Sequence, residues 1–300
     1  MEVVSAGKRL IRAIGLAMVF STVGVDAAQA QDTAALRSMH ASLRARLASS
    51  PFQRPLVLES SLSSGDLKGE VYAVIDQPFD VVASALRSAG AWCDLLILHL
   101  NVKHCSVAGE APSQTLSFAV GRKFDQPLSD AYVVRFAYRV PLARSDYLRV
   151  QMTAASGPLG TSDYRLALEA IPLDAKHAFL HMSYAYSYGT AALVAMEIYL
   201  ASAGRDKVGF SVTGQGSDGR PVHIHGVRGV VERNTMRYFL AIESYLGSLS
   251  ALPDEREEKR LRDWFTATER HAEQLHEMDR GEYLAMKRLE LQRQHAGTQR

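Results

Sequence analysis

The segment from Val71 to Leu96 has the sequence "VYAVIDQPFDVVASALRSAGAWCDLL", and its residue pattern changes partway along. Its first residues are rich in β-branched and aromatic side chains, which predicts a strand. Pro78 then lies in the first turn of a predicted helix, because Phe79 and Val82 fall on one face at helical spacing. The segment therefore predicts a strand followed directly by a short helix.

Five further stretches have the composition and length of strands, and short turn-forming sequences separate them. They are "QTLSFAVGRK" (114–123), "DAYVVRFAYRV" (130–140), "DYLRVQMTAAS" (146–156), "DYRLALEAIPLD" (163–174) and "HAFLHMSYAYSYG" (177–189). Since a parallel crossover needs a dozen or more residues, such short connections predict an antiparallel meander.

Helical patterns dominate the rest of the chain. An apolar helix is predicted over 190–204, and a loop-rich segment with short strands follows over 208–226. The stretch "VRGVVERNTMRYFLAIESYLGSL" (227–249) predicts a long, largely apolar helix that ends before Pro253. The residues beyond form a charge-rich helical tail in which apolar side chains are sparse.

This order of elements resembles the START-like superfamily (SRPBCC, polyketide-cyclase-like), in which a curved antiparallel sheet wraps around a long C-terminal helix. Residues 71–96 resemble the family's opening strand and helix, with Pro78 and Trp92 in matching positions. Residues 226–246 resemble its cavity-closing helix. The resemblance predicts an α+β, helix-grip fold with an extra helix and a charged helical tail. It also implies a cavity that holds a lipid, a sterol or another apolar molecule.

The N-terminus has the layout of a bacterial secretory signal peptide: a basic start, an apolar run and the small residues "AQA" at 28–30. The apolar run is shorter than the roughly 20 residues of a spanning helix. We therefore expect cleavage before Gln31, rather than an uncleaved interfacial anchor, and no membrane span in the mature chain. The expected location is the periplasm, with secretion as the alternative.

Charge and composition limit the kinds of partner. Removing residues 1–30 takes away three basic and two acidic side chains, so the formal net charge falls from +2 to +1. This near-neutral balance gives no reason to expect nucleic acid as a partner. The predicted organisation is a signal peptide (1–30), an N-terminal helical and linker segment (31–64), the helix-grip domain (65–250) and the tail (251–300). The first helix should bury one face, formed by Leu36, Met39, Leu43 and Leu47.

The two cysteines of the chain, Cys93 and Cys105, enclose an apolar run with two histidines. In an exported chain they are expected to form a disulfide. A metal site would add His99 and His104 as ligands, but the spacing lacks a C-x-x-C pair and His104 is adjacent to Cys105. Two reduced, buried thiols are the third possibility.

Alternation along 177–189 places Leu180, Met182, Tyr184, Tyr186 and Tyr188 on one strand face. The tyrosines could give a ligand site apolar walls with hydroxyls at the edge, or could simply pack the core. The candidate cavity residues are Trp92, Tyr138, Tyr184, Tyr186, Tyr188, Met236, Phe239 and Leu240.

Other polar side chains are weaker candidates for a binding site. Arg135 and Arg139 share a strand face that is expected to meet solvent; in the reversed register Arg135 would become a partner for a ligand head group. His223 and His225 supply at most half of a zinc site, and an exposed loop pair is the simpler interpretation. No catalytic residue, metal site or cofactor is predicted, because G-x-S-x-G, H-E-x-x-H and P-loop motifs are absent from the sequence.

The sequence thus favours a non-enzymatic carrier of an apolar small molecule. One alternative is a cyclase-like or hydrolase-like enzyme, which would need a titratable cavity group with a shifted pKa. The other is an interaction protein that docks on a protein partner through residues 254–300, with Trp264 and Phe265 as contacts. Glu232 and Arg233, near the open end of the sheet, are expected to be buried and paired in a structural role.

Overall fold

The computed structural model describes residues 23–190, 193, 194, 196, 205 and 207–298. Residues 1–22 of the expected signal peptide and most of the helix predicted over 190–204 lie outside them. The helices in the described residues are α1 (Val23–Ala48), α2 (Phe79–Leu86), α3 (Ala89–Leu96), α4 (Gly226–Ser248), α5 (Arg256–Glu269), α6 (Ala272–Leu275) and α7 (Arg280–Thr298). The strands are β1 (Leu56–Ser63), β2 (Asp66–Ile75), β3 (Val102–Ala108), β4 (Gln114–Val120), β5 (Tyr132–Ala143), β6 (Leu148–Ser156), β7 (Thr161–Pro172), β8 (Ala178–Tyr188), β9 (Val212–Gln215) and β10 (Pro221–His223).

The main sheet has the order β1-β2-β8-β7-β6-β5-β4-β3 in the part of the chain that is described. Strands β3 to β8 follow one another as an antiparallel meander, and β2 pairs with β8 in antiparallel register. The five predicted strands of the meander are confirmed as β4 to β8. Their short turns leave no room for a parallel crossover.

The sheet begins inside the segment expected to be a linker. Strand β1 forms a hairpin with β2, in which Ser63 is the register partner of Asp66. The two loop residues, Ser64 and Gly65, have φ values of 49° and 84°. This positive-φ pair matches the right-handed twist of hairpin strands. The serine-rich composition of β1 obscured this strand in the sequence.

Helix α4 packs against β1, β2 and β8 and gives the molecule its helix-grip architecture. The contact is close at Gly69 on β2, where an added Cβ would lie 2.1 Å from Oγ1 of Thr235. A residue with a side chain would push the helix away, so glycine permits this approach. The fold is α+β helix-grip, as the sequence predicted.

Both faces of the sheet carry buried apolar side chains. The inner face of β8, including Leu180 and Met182, joins Met236 and Phe239 of α4 in one core cluster. On the outer face, Leu36, Leu43 and Leu47 of α1 pack with Phe179 and Ile171 in a second cluster. Met39, expected on the buried face of α1, is 39% exposed, and the ring of His40 contacts Phe179 instead.

The C-terminal helices pack onto the rest of the fold. The Trp264 side chain is 1% exposed, its ring stacks on Tyr283, and its Nε1 atom donates to the carbonyl oxygen of Arg237 at 3.1 Å. Phe265 is also buried. The docking surface expected at Trp264 and Phe265 is therefore occupied by the chain itself. Leu261, Leu275, Tyr283 and Met286 of the tail are buried in the main core cluster, whereas Leu289 is exposed.

A fully buried ion cluster joins α7 to β3. The two carboxylate oxygens of Glu290 accept from Nζ of Lys103 at 2.9 Å and from Nζ of Lys287 at 2.8 Å. All three side chains are at most 1% exposed. Buried charges persist only when they are paired and hydrogen-bonded, so this cluster makes α7 part of the folded structure.

The expected disulfide is present: Cys93 of α3 is bonded to Cys105 of β3. It ties the end of the opening helical segment to the edge strand of the sheet. The alternative metal site is not formed, because both of its thiol ligands are used in the disulfide. Among the described residues, no three His, Cys, Asp or Glu side chains are grouped to hold a metal. None of the described helices is both long and apolar enough to cross a bilayer.

Candidate functional site

A cavity of about 420 Å³ lies between the middle of the sheet and helix α4. This volume is within the range of small-molecule sites, roughly 300–1,000 Å³. Most of the wall on the sheet side is apolar or aromatic. Its lining side chains there and on α3 include Leu96, Val102, Phe118, Val120, Val134, Phe136, Met152, Tyr164, Leu166, Tyr184 and Tyr186.

One face of α4 forms the opposite wall. Val230, Arg233, Asn234, Arg237 and Tyr238 line the cavity, and their spacing of three or four residues places them on a single helix face. Most of these side chains are polar. The helix therefore turns its more polar face to the cavity.

The candidate residues predicted on α4 lie on a different face. Met236, Phe239 and Leu240 are at most 3% exposed and pack in the main core cluster, and they are not among the side chains that line the cavity. Burial in contact with other side chains and exposure to an internal space look alike in the sequence. The signal that could have found the cavity face is the run of polar residues at helical spacing.

The other predicted residues divide between wall and core. Tyr184 and Tyr186 line the cavity. Trp92 is fully buried, and its Nε1 atom donates to the carbonyl oxygen of Leu86 at 2.8 Å. The Tyr138 hydroxyl is buried without a hydrogen-bond partner among the described residues. Tyr188 is half-buried and packs against the core.

Tyrosine rings connect the two walls of the cavity. Tyr164 and Tyr186 stack with centroids 5.3 Å apart, and Tyr184 meets Tyr238 of α4 edge-on at 5.0 Å. Burial raises the pKa of Tyr184 well above its usual value and that of Tyr238 to about 12. The phenols therefore stay neutral near pH 7 and offer a wall with apolar faces and hydroxyl groups.

His99 brings a hydrogen-bond donor to the cavity. Its side chain is buried, and Nδ1 accepts from the backbone N–H of Asn101 at 3.2 Å. Burial, with smaller effects from Arg237 and Lys287, holds the pKa of His99 well below its ordinary value, and the nearby Asn234 side chain opposes this only weakly. The neutral ring must then carry its proton on Nε2, and Nε2 has no partner in hydrogen-bond geometry in the described part of the chain.

Arg237 lies beside His99 and is 3% exposed. Its Nη2 atom donates to the carbonyl oxygen of Leu275 at 3.2 Å and to Glu277 at 2.7 Å. Its buried Nε atom has no partner among the residues described. Glu277 also contacts Lys123 and, more distantly, Lys207. Burial alone would raise the pKa of Glu277, but Arg237 and Lys123 bring it below its usual value, so the carboxylate is ionised.

Glu232 and Arg233 are both buried, but the structure gives them different contacts. The Glu232 carboxylate accepts from Ser60 at 2.6 Å and from the backbone N–H groups of Phe210 and Ser211 at 2.6 and 2.9 Å. Arg233 donates to the carbonyl oxygen of Val208 at 3.1 Å. Both side chains thus hold the segment before β9 onto α4.

The remaining sequence candidates lie away from the cavity. Arg135 and Arg139 are exposed, so the register that faces them to solvent is the observed one. His223 is half-buried with its Nδ1 atom 3.2 Å from the carbonyl oxygen of Phe210, and His225 precedes the first turn of α4.

The cavity reaches the surface near the turn between β6 and β7. Leu159, in the 3-10 turn Pro158–Gly160, lines the cavity and is 72% exposed. Thr161 and Tyr164 lie just inside, where their hydroxyl groups are 2.7 Å apart. A molecule entering here would pass an apolar side chain and then the tyrosine wall.

No protein-family model matches the chain, and no curated protein matches it. Solved structures with similar folds include a norcoclaurine synthase point mutant from Thalictrum flavum with a transition-state analogue. That match has 13% identity and a TM-score of 0.34, and covers 48% of this chain and 90% of the synthase. An aromatase/cyclase from a Streptomyces species matches at 11% identity and a TM-score of 0.32, over 69% of this chain and 96% of its own.

A START superfamily protein from Mycobacterium smegmatis matches at 13% identity and a TM-score of 0.32, over 46% of this chain and 95% of its own. Similarities this distant carry no argument about function. The chain has a helix-grip fold, which its strand order and the position of α4 define.

Proposed function

We propose that the protein is an exported carrier that binds an apolar small molecule, of lipid-like character, in the cavity between the sheet and α4. The observation that supports this function is the cavity itself, about 420 Å³ in volume with a largely apolar sheet wall. Protein interiors are otherwise close-packed. Without a ligand, water entering from the open end would lie against largely apolar walls, which is unfavourable.

Native mass spectrometry of protein purified without denaturation tests the carrier function. The expected spectrum shows a species heavier than the chain, and extraction with organic solvent should remove the excess mass. The extracted protein should then take up Nile red, an uncharged apolar dye, with an increase in fluorescence. A ligand-free mass together with no uptake of dye would contradict the proposal.

A second candidate function is enzymatic, and His99 is the observation that favours it. It is a buried titratable group in the cavity with a lowered pKa, which is a feature of catalytic sites. Its tautomer weakens the case for a general base, because Nδ1 is already an acceptor for Asn101 and Nε2 carries the proton. The neutral tyrosines are poor bases for the same pH range.

Recovering the ligand after incubation with the protein distinguishes a carrier function from an enzymatic one. The extracted ligand is added back, incubated with the protein at many-fold molar excess and analysed by mass spectrometry. A carrier returns the ligand unchanged. Turnover to a product of different mass, abolished in His99→Phe, would replace the carrier function with an enzymatic one.

Export to the periplasm is part of the same proposal and rests on residues 1–30 together with the disulfide Cys93–Cys105. Disulfides persist in oxidising compartments. The intact mass of the protein recovered from exporting cells should correspond to a chain that begins at Gln31. A mass that includes Met1 would contradict export by signal cleavage.

A further inference from the structure

We propose that the molecule bound in the cavity is an apolar carboxylic acid, whose carboxylate binds at His99 and Arg237. This inference rests on the proposed binding function and adds the chemical class of the ligand. Three features of the described residues lead to it: two buried donors that lack hydrogen bonds, the positive charge that one of them carries, and apolar walls around the rest of the space.

The first feature is the pair of unsatisfied donors. Nε of Arg237 is buried and has no hydrogen-bond partner among the described residues, and Nε2 of His99 is buried with the side chain of Asn234 near it but outside hydrogen-bond geometry. Both residues line the cavity. Leaving a buried donor unpaired costs free energy comparable to a lost hydrogen bond. Both atoms are N–H groups, so the missing partner must be an acceptor.

The second feature is charge. Arg237 is cationic, and both hydrogen bonds that the structure gives its guanidinium use Nη2. Its carboxylate partner, Glu277, also forms ion pairs with Lys123 and Lys207. A ligand acceptor at Nε therefore binds most tightly if it is anionic, because an anion adds the attraction between opposite charges to the hydrogen bond. A ligand with an ammonium group would bind poorly here, because it would face N–H donors and the positive charge of Arg237.

The third feature is the surroundings of the donors. The aromatic ring of Tyr238 lies 5.0 Å from the His99 ring, and Tyr238 in turn contacts Tyr184. The donors are thus continuous with the tyrosine wall. A molecule with one carboxylate and an apolar body would place its acceptor at His99 and Arg237 and its body against the sheet, since such walls bind apolar groups and the few polar groups fix orientation.

The carboxylate chemistry is tested with three probes of equal chain length: dodecanoate, dodecanol and dodecylamine. Each displaces Nile red from extracted protein at one pH. Dodecanoate should bind at least about tenfold more tightly than dodecanol, as expected for hydrogen bonds to a charged group, and dodecylamine should bind most weakly. Equal affinity for dodecanoate and dodecanol, or a preference for dodecylamine, would overturn the inference.

Substitutions at Arg237 and His99 test whether these residues cause the preference for dodecanoate. Arg237→Met should bring the affinity for dodecanoate down to that for dodecanol, and Arg228→Met is its matched control, because Arg228 is on the same helix but contacts Ser60 rather than the cavity. His99→Phe keeps a ring in place and removes the donor, so it serves as the second variant if Arg237→Met fails to fold. A preference unchanged in both would place the carboxylate elsewhere and contradict the proposal.

The outcomes also separate the two proposals. If Nile red and dodecanol bind but dodecanoate binds no more tightly than dodecanol, the binding function stands and the carboxylate inference fails. If neither the dye nor any of the three chains binds, the binding function fails, and the inference fails with it.

Discussion

The Nζ atom of Lys287, on α7, lies 2.7 Å from the carbonyl oxygen of His99, whose ring lines the cavity. Lys287 also donates to the carbonyl oxygen of Val102, and the neighbouring hydroxyl of Tyr283 donates to that of Leu98. The last helix thus satisfies two backbone carbonyl groups of the segment that links α3 to β3 and a third at the first residue of β3. The wall that presents His99 depends on the C-terminal helix for its shape.

Replacing Glu290 by Gln should destabilise the protein strongly. The change removes the carboxylate that pairs with both Lys103 and Lys287 and leaves two buried lysines without an anion. Breaking a buried ion pair costs about 3–5 kcal/mol. Urea denaturation should therefore show a lower free energy of unfolding by roughly that amount.

Glu258→Gln is the matched control for this prediction. Glu258 pairs with Arg262 and Arg288 at the surface, where such pairs contribute about 0–1 kcal/mol. If Glu290→Gln were no more destabilising than Glu258→Gln, the ion cluster would not be what holds α7 on β3.

A histidine on the outer face of the sheet should make stability depend on pH. Nδ1 of His181 lies 3.2 Å from Glu169 and Nε2 lies 3.0 Å from Glu70. Burial alone would lower the pKa of His181, but the hydrogen bonds to Glu169 and Glu70 raise it above 6.5. The folded state therefore binds the proton more tightly than the unfolded state, and this stabilisation is present below about pH 6.5 and lost as the pH rises through the folded pKa.

Glu70 makes the stability of the fold depend on pH in the acid range. Burial would raise its pKa, but His181 and Lys68 lower it to about 2. Its contribution is present above the usual value of 4.5 and is lost as the pH falls towards 2. The stabilisation from this cluster is therefore greatest between these two ranges.

Substituting His181 by Gln isolates the histidine effect. The difference in free energy of unfolding between wild type and His181→Gln should be larger at about pH 5.5 than at about pH 8.5, because the raised folded-state pKa stabilises the protein only while His181 is protonated. His225→Gln, at a surface position, controls for the loss of a histidine. A difference that grows with rising pH would contradict the prediction that the folded state raises the pKa of His181.

The disulfide should stabilise the link between α3 and β3. Cys93 and Cys105 are separated by 12 positions, and closing a loop of that size lowers the entropy of the unfolded chain by an amount worth about 3 kcal/mol. The double variant Cys93→Ser, Cys105→Ser should unfold at correspondingly lower urea concentration. Thiol titration of the exported protein in denaturant should detect no free thiol. Two free thiols would contradict the bond, and an unchanged midpoint would contradict its contribution.

Features set by local periodicity were predictable from the sequence. The alternation of Leu180, Met182 and Tyr184 placed one face of β8 inward, because a strand has a side-chain period of two. The same rule placed Arg135 and Arg139 outward. The antiparallel meander followed from the short turns, and the disulfide followed from the expected export and the cysteine count.

Features that depend on three-dimensional packing were not predictable in this way. Met236 and Phe239 are apolar and buried, yet they fill the core rather than face the cavity. Whether an inward side chain touches another or borders a void depends on the distance between α4 and the sheet. Gly69 helps to set that distance, but a single glycine in a strand does not reveal it. Similarly, the sequence around Trp264 and Phe265 of the tail gave no indication of the surface that would cover them.

Adjacent residues of β5 offer the most direct test of ligand binding in the cavity. Val134 lines the cavity and is 3% exposed, whereas Val133 is 43% exposed and alternates to the opposite face of the strand. Val134→Trp should fill the space, and Val133→Trp should place the same side chain in solvent. In a Nile red titration of extracted, folded protein, we expect Val134→Trp to lose at least about tenfold in affinity, which corresponds to about 1.4 kcal/mol, and Val133→Trp to bind like wild type. Equal dye affinity in Val134→Trp and wild type would mean that the ligand does not bind between the sheet and α4.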